Sequence, residues 1–177
     1  CIARGKALLD GGVRYLGGTN ETYGNINTSD SLWVIRDLVF NQKKYTLRQL
    51  NDAMLANFNG YEALRKDCLN CDKYGNDLET ADTMANDLYE FVAKGVRDRG
   101  IAIGMQYFLI VISNNQLNTE WGNRTAASPD GRLSCMYMNP ANNPQGGANK
   151  SGPTAMLNSL AKFDAKYHGG SVQNIKF

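Results

Sequence analysis

The stretch Met105-Gln-Tyr-Phe-Leu-Ile-Val-Ile-Ser113 contributes most to the fold prediction. It is short, apolar, and rich in aromatic and β-branched side chains, a composition that is typical of a buried strand. A long amphipathic helix is predicted before it, from Glu79 to Arg97, with basic residues and Gly100 at its end. We expect the apolar stripe of this helix to consist of Met84, Leu88, Phe91 and Val92.

Shorter helices are predicted upstream. Apolar residues recur at helical spacing over about residues 31 to 41, with Asp30 or Ser31 available as the N-cap. Thr46-Leu-Arg-Gln49 matches a reciprocal capping box, and the apolar face that follows it continues until Gly60. A further helix is predicted from Glu62 to Cys68. The members of the apolar face are Leu47, Leu50, Met54, Leu55 and Phe58.

The remaining segments are predicted as loops, one helix and one strand. The glycine-rich opening, Gly11 to Gly18, reads as irregular chain. Residues 114 to 151 are dominated by Asn, Gly, Pro and Ser, and a loop of that length is usually functional or covers something. Ser151-Gly-Pro153 opens a helix, and Ser171 to Phe177 form a last strand. We therefore predict an α/β fold with four or five helices, two strands and an incomplete sheet.

Composition bounds the class of protein. The chain has 177 residues, of which 42% are hydrophobic and 20% are charged, as in a soluble, folded protein. We expect residues 1–177 to form one partial domain. The net charge of +2 is spread along the chain, which argues against a nucleic-acid partner. The longest apolar candidate, Ile101 to Ile112, is interrupted by Gly104 and Gln106, so we expect no membrane span.

The termini suggest truncation. The chain begins with Cys1 rather than Met, and no signal-peptide pattern precedes the globular pattern. The predicted last strand runs to the final residue. We interpret both ends as cut ends.

The residues by themselves indicate no catalytic or metal centre. Cys68 and Cys71 form one Cys-x-x-Cys pair, which alone is half a zinc site, and ordinary thiols in a reducing cytoplasm are the preferred interpretation over a zinc ligand pair. His168 is the single histidine, and it is interpreted as a loop or capping residue before a general base. Asp130, in Ser128-Pro-Asp-Gly131, is most simply part of a turn.

Four segments, taken in order, resemble the pyruvate formate-lyase type of glycyl radical enzyme. They are Asp30-Ser-Leu32 with the helix leading to Asn57-Phe-Asn-Gly60 and Leu64-Arg65; Lys73-Tyr-Gly-Asn-Asp77; Ala127-Ser-Pro-Asp-Gly-Arg132; and Gly152-Pro-Thr-Ala-Met-Leu-Asn-Ser-Leu-Ala-Lys162. The resemblance implies an internal part of a ten-stranded α/β barrel. It also implies a radical enzyme of anaerobic metabolism that is a cytoplasmic homodimer when complete.

In that family a cysteine loop and a glycyl radical loop meet inside the barrel, and an activating enzyme that uses S-adenosylmethionine and an iron–sulfur cluster installs the radical. Neither the Gly-Cys loop nor the Arg-Val-x-Gly-Tyr loop occurs in these 177 residues, and Cys1 matches a different stretch. The resemblance therefore implies that this chain contains no catalytic residue and binds no cofactor or metal. Its partners would be the remainder of the enzyme, the activating enzyme and a small-molecule substrate.

The reaction stays open at this stage. Arg132 is followed by Leu133-Ser-Cys-Met136 where many relatives have Lys-Ala-Gly, so neither the common dehydratase pattern nor formate acetyltransferase activity on pyruvate follows. The reactions that stay open are cleavage of a carbon–carbon bond, elimination of water or an amine, decarboxylation and addition to an alkene. An alternative from another class is a stand-alone binding or scaffold module that has lost catalysis.

Substrate contact is predicted at the polar ends of apolar elements. The exit of the surest strand carries Ser113, Asn114 and Asn115, and barrel enzymes present their chemistry from loops at one end of the strands. Asn139 and Asn142 lie in a second candidate loop, because uncharged amides can orient a polar substrate without burying a charge. The competing interpretation, which we favour slightly, is that these asparagines satisfy loop backbone.

Overall fold

The computed structural model describes residues 1–15, 17–105, 107–111, 116–170 and 172–175. Within those residues the regular elements are three strands and six α-helices, more than the two strands and four or five helices predicted, with short 3-10 or π-helical turns between them. The strands are β1 (Gly17–Glu21), β2 (Tyr107–Val111) and β3 (His168–Gly170); the helices are α1 (Asn25–Val34), α2 (Leu47–Leu55), α3 (Glu62–Asn70), α4 (Glu79–Ala102), α5 (Leu117–Gly122) and α6 (Gly152–Ala161).

The three strands form one parallel sheet in the order β1-β2-β3. Gly17 lies opposite Tyr107 and Glu21 opposite Val111, and the pairing of β2 with β3 is shifted by an irregularity between Ile110 and Val111. The predicted core strand is therefore confirmed at the centre of an α/β fold. Ile112 and Ser113, the end of that prediction, lie outside the described residues.

Two strand predictions were wrong. β1 falls partly in the stretch predicted as irregular, because Gly17-Gly-Thr-Asn-Glu21 lacks the apolar side chains on which a strand prediction depends. The last strand is His168–Gly170, just before the predicted Ser171–Phe177, and residues 172–175 are not in a strand. Hydrogen bonding to β2 overrides the weak strand preference of two consecutive glycines.

The first predicted helix begins too late. α1 starts at Asn25, directly after Gly24 with φ +71°, and a π-helical segment, Ile35–Asn41, continues it. Asp30 and Ser31, predicted as cap residues, lie inside the helix and are buried. The prediction failed because the inward face of α1 carries polar residues, so its helical period is invisible to an apolar pattern.

The capping box and the next two helices are confirmed. The Thr46 hydroxyl accepts a hydrogen bond from Gln49 N, and the Gln49 side chain accepts from Thr46 N in return. α2 ends at Leu55, and the chain then turns through Asn57 and Phe58, both at positive φ. Leu50 and Phe58 are buried, whereas two members of the predicted apolar face are exposed: Leu47 and Leu55.

The stripe predicted for α4 was wrong in its register. The buried apolar positions are Ala81, Ala85, Tyr89 and Ala93, while Phe91 is 77% exposed. α4 packs against both α1 and β2, and small alanines allow the close approach of its backbone to both. Met84, Leu88 and Val92 are half-buried, so the predicted stripe lies beside the buried face, which consists mainly of alanines.

A core of aromatic residues joins α4 to α6. Tyr74 stacks on Phe163 at a centroid distance of 5.3 Å, and Tyr89 lies 4.4 Å from the same ring. Ile26 of α1, Ala85 of α4 and Ala141 complete the cluster. A second apolar cluster lies beneath α2 and α3, around Val34, Leu38, Leu50, Phe58 and Leu64.

The region predicted as one long loop contains α5, six residues whose polar composition gave no helical signal. The helix predicted at Ser151 is confirmed as α6, with Pro153 in its first turn. Among the described residues, none of the helices combines the length and the apolar character needed to cross a membrane.

Candidate functional site

A buried polar stripe on α1 organises the site. Asn27, Asp30 and Ser31 are 5%, 1% and 9% exposed, and their spacing of three and four residues places them on one helix face. Burying such groups is unfavourable unless they are hydrogen-bonded. Two of their partners, Tyr74 and Asp130, come from segments that carried the family resemblance, and Asn27 also bonds to Asn139 and Gln145.

The Asp130 turn is one of these partners. The Asn27 amide donates to Asp130 Oδ2 at 2.7 Å, and Asp130 N donates to the Ser31 hydroxyl at 3.3 Å. Asp130 Oδ1 accepts from the Ser128 hydroxyl at 2.5 Å and from Arg132 N at 3.2 Å. Both oxygens of this carboxylate are thus satisfied, so the residue is more than the simple turn former that the sequence suggested.

Asp30 has a different environment. Its Oδ1 accepts a hydrogen bond from Tyr74 N at 2.9 Å, while its Oδ2 is buried without a hydrogen-bond partner among the described residues. Burial raises the pKa of Asp30 from 3.8 to about 8. The Tyr74 amide and the Lys73 charge oppose this rise, and Asp130 adds to it. The Asp30 carboxyl is consequently protonated in most molecules at neutral pH.

Two buried cations are held by backbone carbonyls. The Lys73 ammonium donates to Cys68 O at 2.5 Å and Cys71 O at 3.3 Å. The Arg132 guanidinium donates to three carbonyls, and burial lowers its pKa. The carbonyls belong to Ala126, Leu133 and Met136, at 2.5, 3.2 and 2.8 Å.

These groups line a cavity of about 500 Å³. It opens between α3, the turn at Lys73, the Asp130-Gly-Arg132 segment and the loop 145–150. Asp30 lies in its wall, and Lys66 and Lys150 are also among the residues around it. The sequence prediction missed this cavity, because its buried acid Asp30 comes from the polar face of a helix and its cations come from four separate segments.

The predicted substrate-binding residues are only partly described. Ser113, Asn114 and Asn115 lie outside the described residues. Asn139 and Asn142 are 2% and 0% exposed. They are close in sequence but contact different elements.

Asn139 joins its loop to α1 in a reciprocal pair with Asn27. Asn139 N donates to Asn27 Oδ1 at 2.7 Å, and Asn27 N donates to Asn139 Oδ1 at 3.3 Å. Asn142 Oδ1 accepts from the Tyr89 hydroxyl, and Asn142 N donates to Val172 O at 3.0 Å. The loop therefore connects α1 and α4 to the chain that follows β3.

His168 and the cysteines take structural positions. His168 is the first residue of β3, not the loop or capping residue predicted; its ring stacks on Tyr89 at 5.3 Å, and burial lowers its pKa. Burial raises the pKa of Cys68 to about 12 and of Cys71 to about 11, which disfavours the thiolates that metals bind. Within the described ranges, no group of three or more His, Cys, Asp or Glu residues could hold a metal ion.

Comparison with known proteins identifies the family of this chain. A family model described as pyruvate formate lyase-like matches residues 1–117. The chain belongs to the pyruvate formate lyase-like family. The resemblance inferred from the four sequence segments is thereby confirmed, and the two later segments lie beyond the matched residues.

Relatives in this family match along the whole chain. The trans-4-hydroxy-L-proline dehydratase of Clostridioides difficile is 33% identical over 178 residues, covering 100% of this chain and 22% of that protein. The (2S)-3-sulfopropanediol dehydratase of Klebsiella oxytoca is 32% identical over 185 residues, with 100% and 22% coverage. This chain thus spans about a fifth of the length of the relatives it matches.

A solved structure shows the same fold. The crystal structure of hydroxyproline dehydratase from Clostridioides difficile, with substrate trans-4-hydroxy-L-proline bound, superposes with a TM-score of 0.90 at 32% identity. The match covers 97% of this chain and 22% of the dehydratase. The described part of this chain therefore shares its fold with that dehydratase.

Proposed function

We propose that this chain is part of the barrel of a glycyl radical lyase or dehydratase that acts on a small polar substrate. The superposition on a substrate-bound dehydratase over 97% of the chain is the observation that carries the proposal. Relatives named as two dehydratases and a sulfite-lyase, each 32% or 33% identical, support elimination over the formate acetyltransferase reaction.

The sheet supports a place in a barrel wall. Its three strands are parallel, and β1 and β3 are its edges among the described residues. α4 packs against β2, as helices do on the outside of a parallel barrel. We infer that the remaining strands of a ten-stranded barrel, the cysteine loop and the glycyl radical loop come from other parts of a longer polypeptide. The complete enzyme would be a cytoplasmic homodimer.

The radical chemistry belongs to residues that this chain does not supply. A glycyl radical, installed by an activating enzyme with S-adenosylmethionine and an iron–sulfur cluster, would pass to the cysteine of the other loop and from there to the substrate. Neither loop motif occurs in the 177 residues. The part played by this chain is to form a wall that keeps water from the reacting substrate and to position the loops at the sheet edge.

We retain the proposal that the five predicted residues bind substrate at that edge of the sheet. Ser113, Asn114 and Asn115 follow β2 in sequence, and the carboxyl ends of parallel strands are where such folds bind ligands. Asn139 and Asn142 belong to the loop that bonds to residue 172, just after β3. We assign direct contact to the first group and either contact or support to the second.

A pair of variants in the complete enzyme tests the edge proposal. Asn115→Ala should raise KM or lower kcat with an unchanged melting temperature. Asn142→Ala should lower both turnover and stability, since it removes a buried acceptor of the Tyr89 hydroxyl. Unaltered turnover in Asn115→Ala would remove that residue from the substrate site.

The main test compares this chain with the longer polypeptide. Treated anaerobically with an activating enzyme, the longer polypeptide should give a doublet radical signal and convert small hydroxylated substrates. The 177-residue chain alone should give neither. A radical on the short chain would refute the assignment of roles, and a longer polypeptide without either radical motif would favour a non-catalytic module.

A further inference from the structure

We propose that the cavity beside Asp30 binds a small organic carboxylate, held by a hydrogen bond from the Asp30 carboxyl and by the Lys66 and Lys150 ammonium groups. None of its lining residues lies in a strand or in the predicted substrate rim. The proposal therefore goes beyond the proposed function, and its test requires no turnover.

The cavity has the size and the walls of a ligand site. Its volume of about 500 Å³ falls within the range of roughly 300 to 1,000 Å³ that is typical for small-molecule pockets. Leu69 and Met136 provide apolar wall, and Leu69 packs directly against Gly131. The space suits a carboxylate with a compact hydrocarbon body.

Asp30 supplies a buried polar atom that the protein leaves unused. Its Oδ2 has no partner among the described residues, and the residue lines the cavity. The charged groups that act on it are Lys73, Asp130 and Asp82, and together with burial they leave its pKa at about 8. A protonated Asp30 can donate to a ligand carboxylate through Oδ2 while Oδ1 keeps the hydrogen bond from Tyr74 N.

The basic groups around the cavity provide the counter-charge. No hydrogen bond or ion pair of the Lys66 or Lys150 side chain is found in the part of the chain that the structure describes. Arg65 also lines the cavity, and its Nε donates to Gly131 O at 2.9 Å. Two ammonium groups at the wall of one pocket raise the local concentration of anions.

The acidic groups do not favour a cation instead. The Asp130 carboxylate is fully occupied by donors within the protein, and Glu62 accepts hydrogen bonds from its own backbone N–H and from Gly60 N, which lower its pKa. A protonated Asp30 offers no charge to a cation. Five basic residues face three acidic ones around the cavity: Arg65, Lys66, Lys73, Arg132 and Lys150 against Asp30, Glu62 and Asp130.

Calorimetric titration of the purified protein with benzoate tests the proposal, with benzamide as the uncharged probe of the same shape. Benzoate should bind and benzamide should not. Affinity for benzoate should fall about tenfold between pH 6.5 and 9, because Asp30 must be protonated to donate. Asp30→Asn keeps a donor that does not titrate, so its affinity should be the same at both pH values.

The lysine contribution has a charge-matched control. Replacing both Lys66 and Lys150 by Gln should weaken benzoate binding about fivefold. Replacing Lys6 and Lys43, two exposed lysines outside the cavity, should not change it. Equal binding of benzoate and benzamide, equal effects of the two double variants, or binding of inorganic phosphate but not benzoate would each overturn the proposal.

Discussion

Two buried aspartates in this molecule are stabilised in opposite ways. Asp30 of α1 is 1% exposed and Asp82 of α4 is 0% exposed. Asp82 Oδ2 lies 2.7 Å from the ammonium of Lys162, the residue that follows α6. The same ammonium lies 3.0 Å from Asp77 Oδ1. Asp30 forms no ion pair within the described residues and accepts only the Tyr74 amide.

The difference separates a structural contact from a group available to a ligand. The hydrogen bond with Asp82 raises the pKa of Lys162, and this ion pair joins α4 to the end of α6. A carboxyl buried without a cation becomes protonated instead, because a buried charge is too costly. Asp30 is therefore mostly neutral at pH 7, and the proposed ligand would supply the hydrogen-bond partner that its Oδ2 lacks among the described residues.

The turn that donates to Asp30 should be the most sensitive position. Gly75 has φ +90°, and a Cβ there would lie 2.2 Å from Pro144 Cγ. Gly75→Ala should cost about 4 kcal/mol of unfolding free energy, from overpacking together with a left-handed backbone. Denaturation in urea measures this cost.

Gly147→Ala is the control for Gly75→Ala. Gly147 has φ +80°, but a Cβ would meet nothing within 4 Å. It should cost only about 1 kcal/mol, from the left-handed backbone alone. Equal losses in the two variants would show that contact with Pro144 does not constrain the turn.

Removing the partner of Asp82 should have the next largest effect. Lys162→Met leaves a buried carboxylate unpaired and should destabilise the fold by about 3 kcal/mol, since breaking a buried pair costs far more than the pair contributes. Lys66→Met, a cavity lysine without a partner in the described chain, should change stability by less than about 0.5 kcal/mol. If both variants unfold at the same urea concentration, the contrast between the two aspartates is wrong.

The pH dependence of stability should reveal that Asp30, unlike the ion-paired Asp82, is buried in its protonated form. Its folded pKa of about 8 lies above its ordinary 3.8, so the folded state binds the extra proton and stability falls as pH rises toward 8. Burial lowers the pKa of His168 below 6.5, so that group affects only lower pH. Between pH 6.5 and 8 the free energy of unfolding should fall by roughly 1–2 kcal/mol because of Asp30.

Two substitutions separate this effect from general destabilisation. Asp30→Asn should abolish the pH slope, while Asp82→Asn should lower stability and keep the slope. Urea denaturation at several pH values provides the measurement. A slope that survives Asp30→Asn would have to come from another group.

The sequence predicted the elements that follow simple apolar or capping rules. The central strand, the Thr46 capping box and the proline-initiated α6 are examples. It failed where the buried face is polar, as in Asn27, Asp30 and Ser31, or small, as in Ala81 and Ala85. A period of three and four residues among polar side chains was the available signal for α1.

The candidate site was harder to predict than the fold. The family segments containing Asp30, Lys73 and Asp130 were recognised, but only tertiary structure brings them to one cavity. Asn139 and Asn142 were identified as polar loop residues, and their burial depends on α1 and α4, which lie far away in sequence. No local sequence pattern indicates that a buried aspartate has no positively charged side chain as its ion-pair partner.

The central claim is that Asp30 is a buried, protonated acid in the folded protein, and its own titration is the most direct test. Carbon-13 NMR of the aspartate side-chain carboxyls, assigned by comparison with Asp30→Asn, follows ionisation of this one group. The account predicts a titration midpoint near 8 for Asp30. A midpoint near the ordinary aspartate value of about 4 would contradict it.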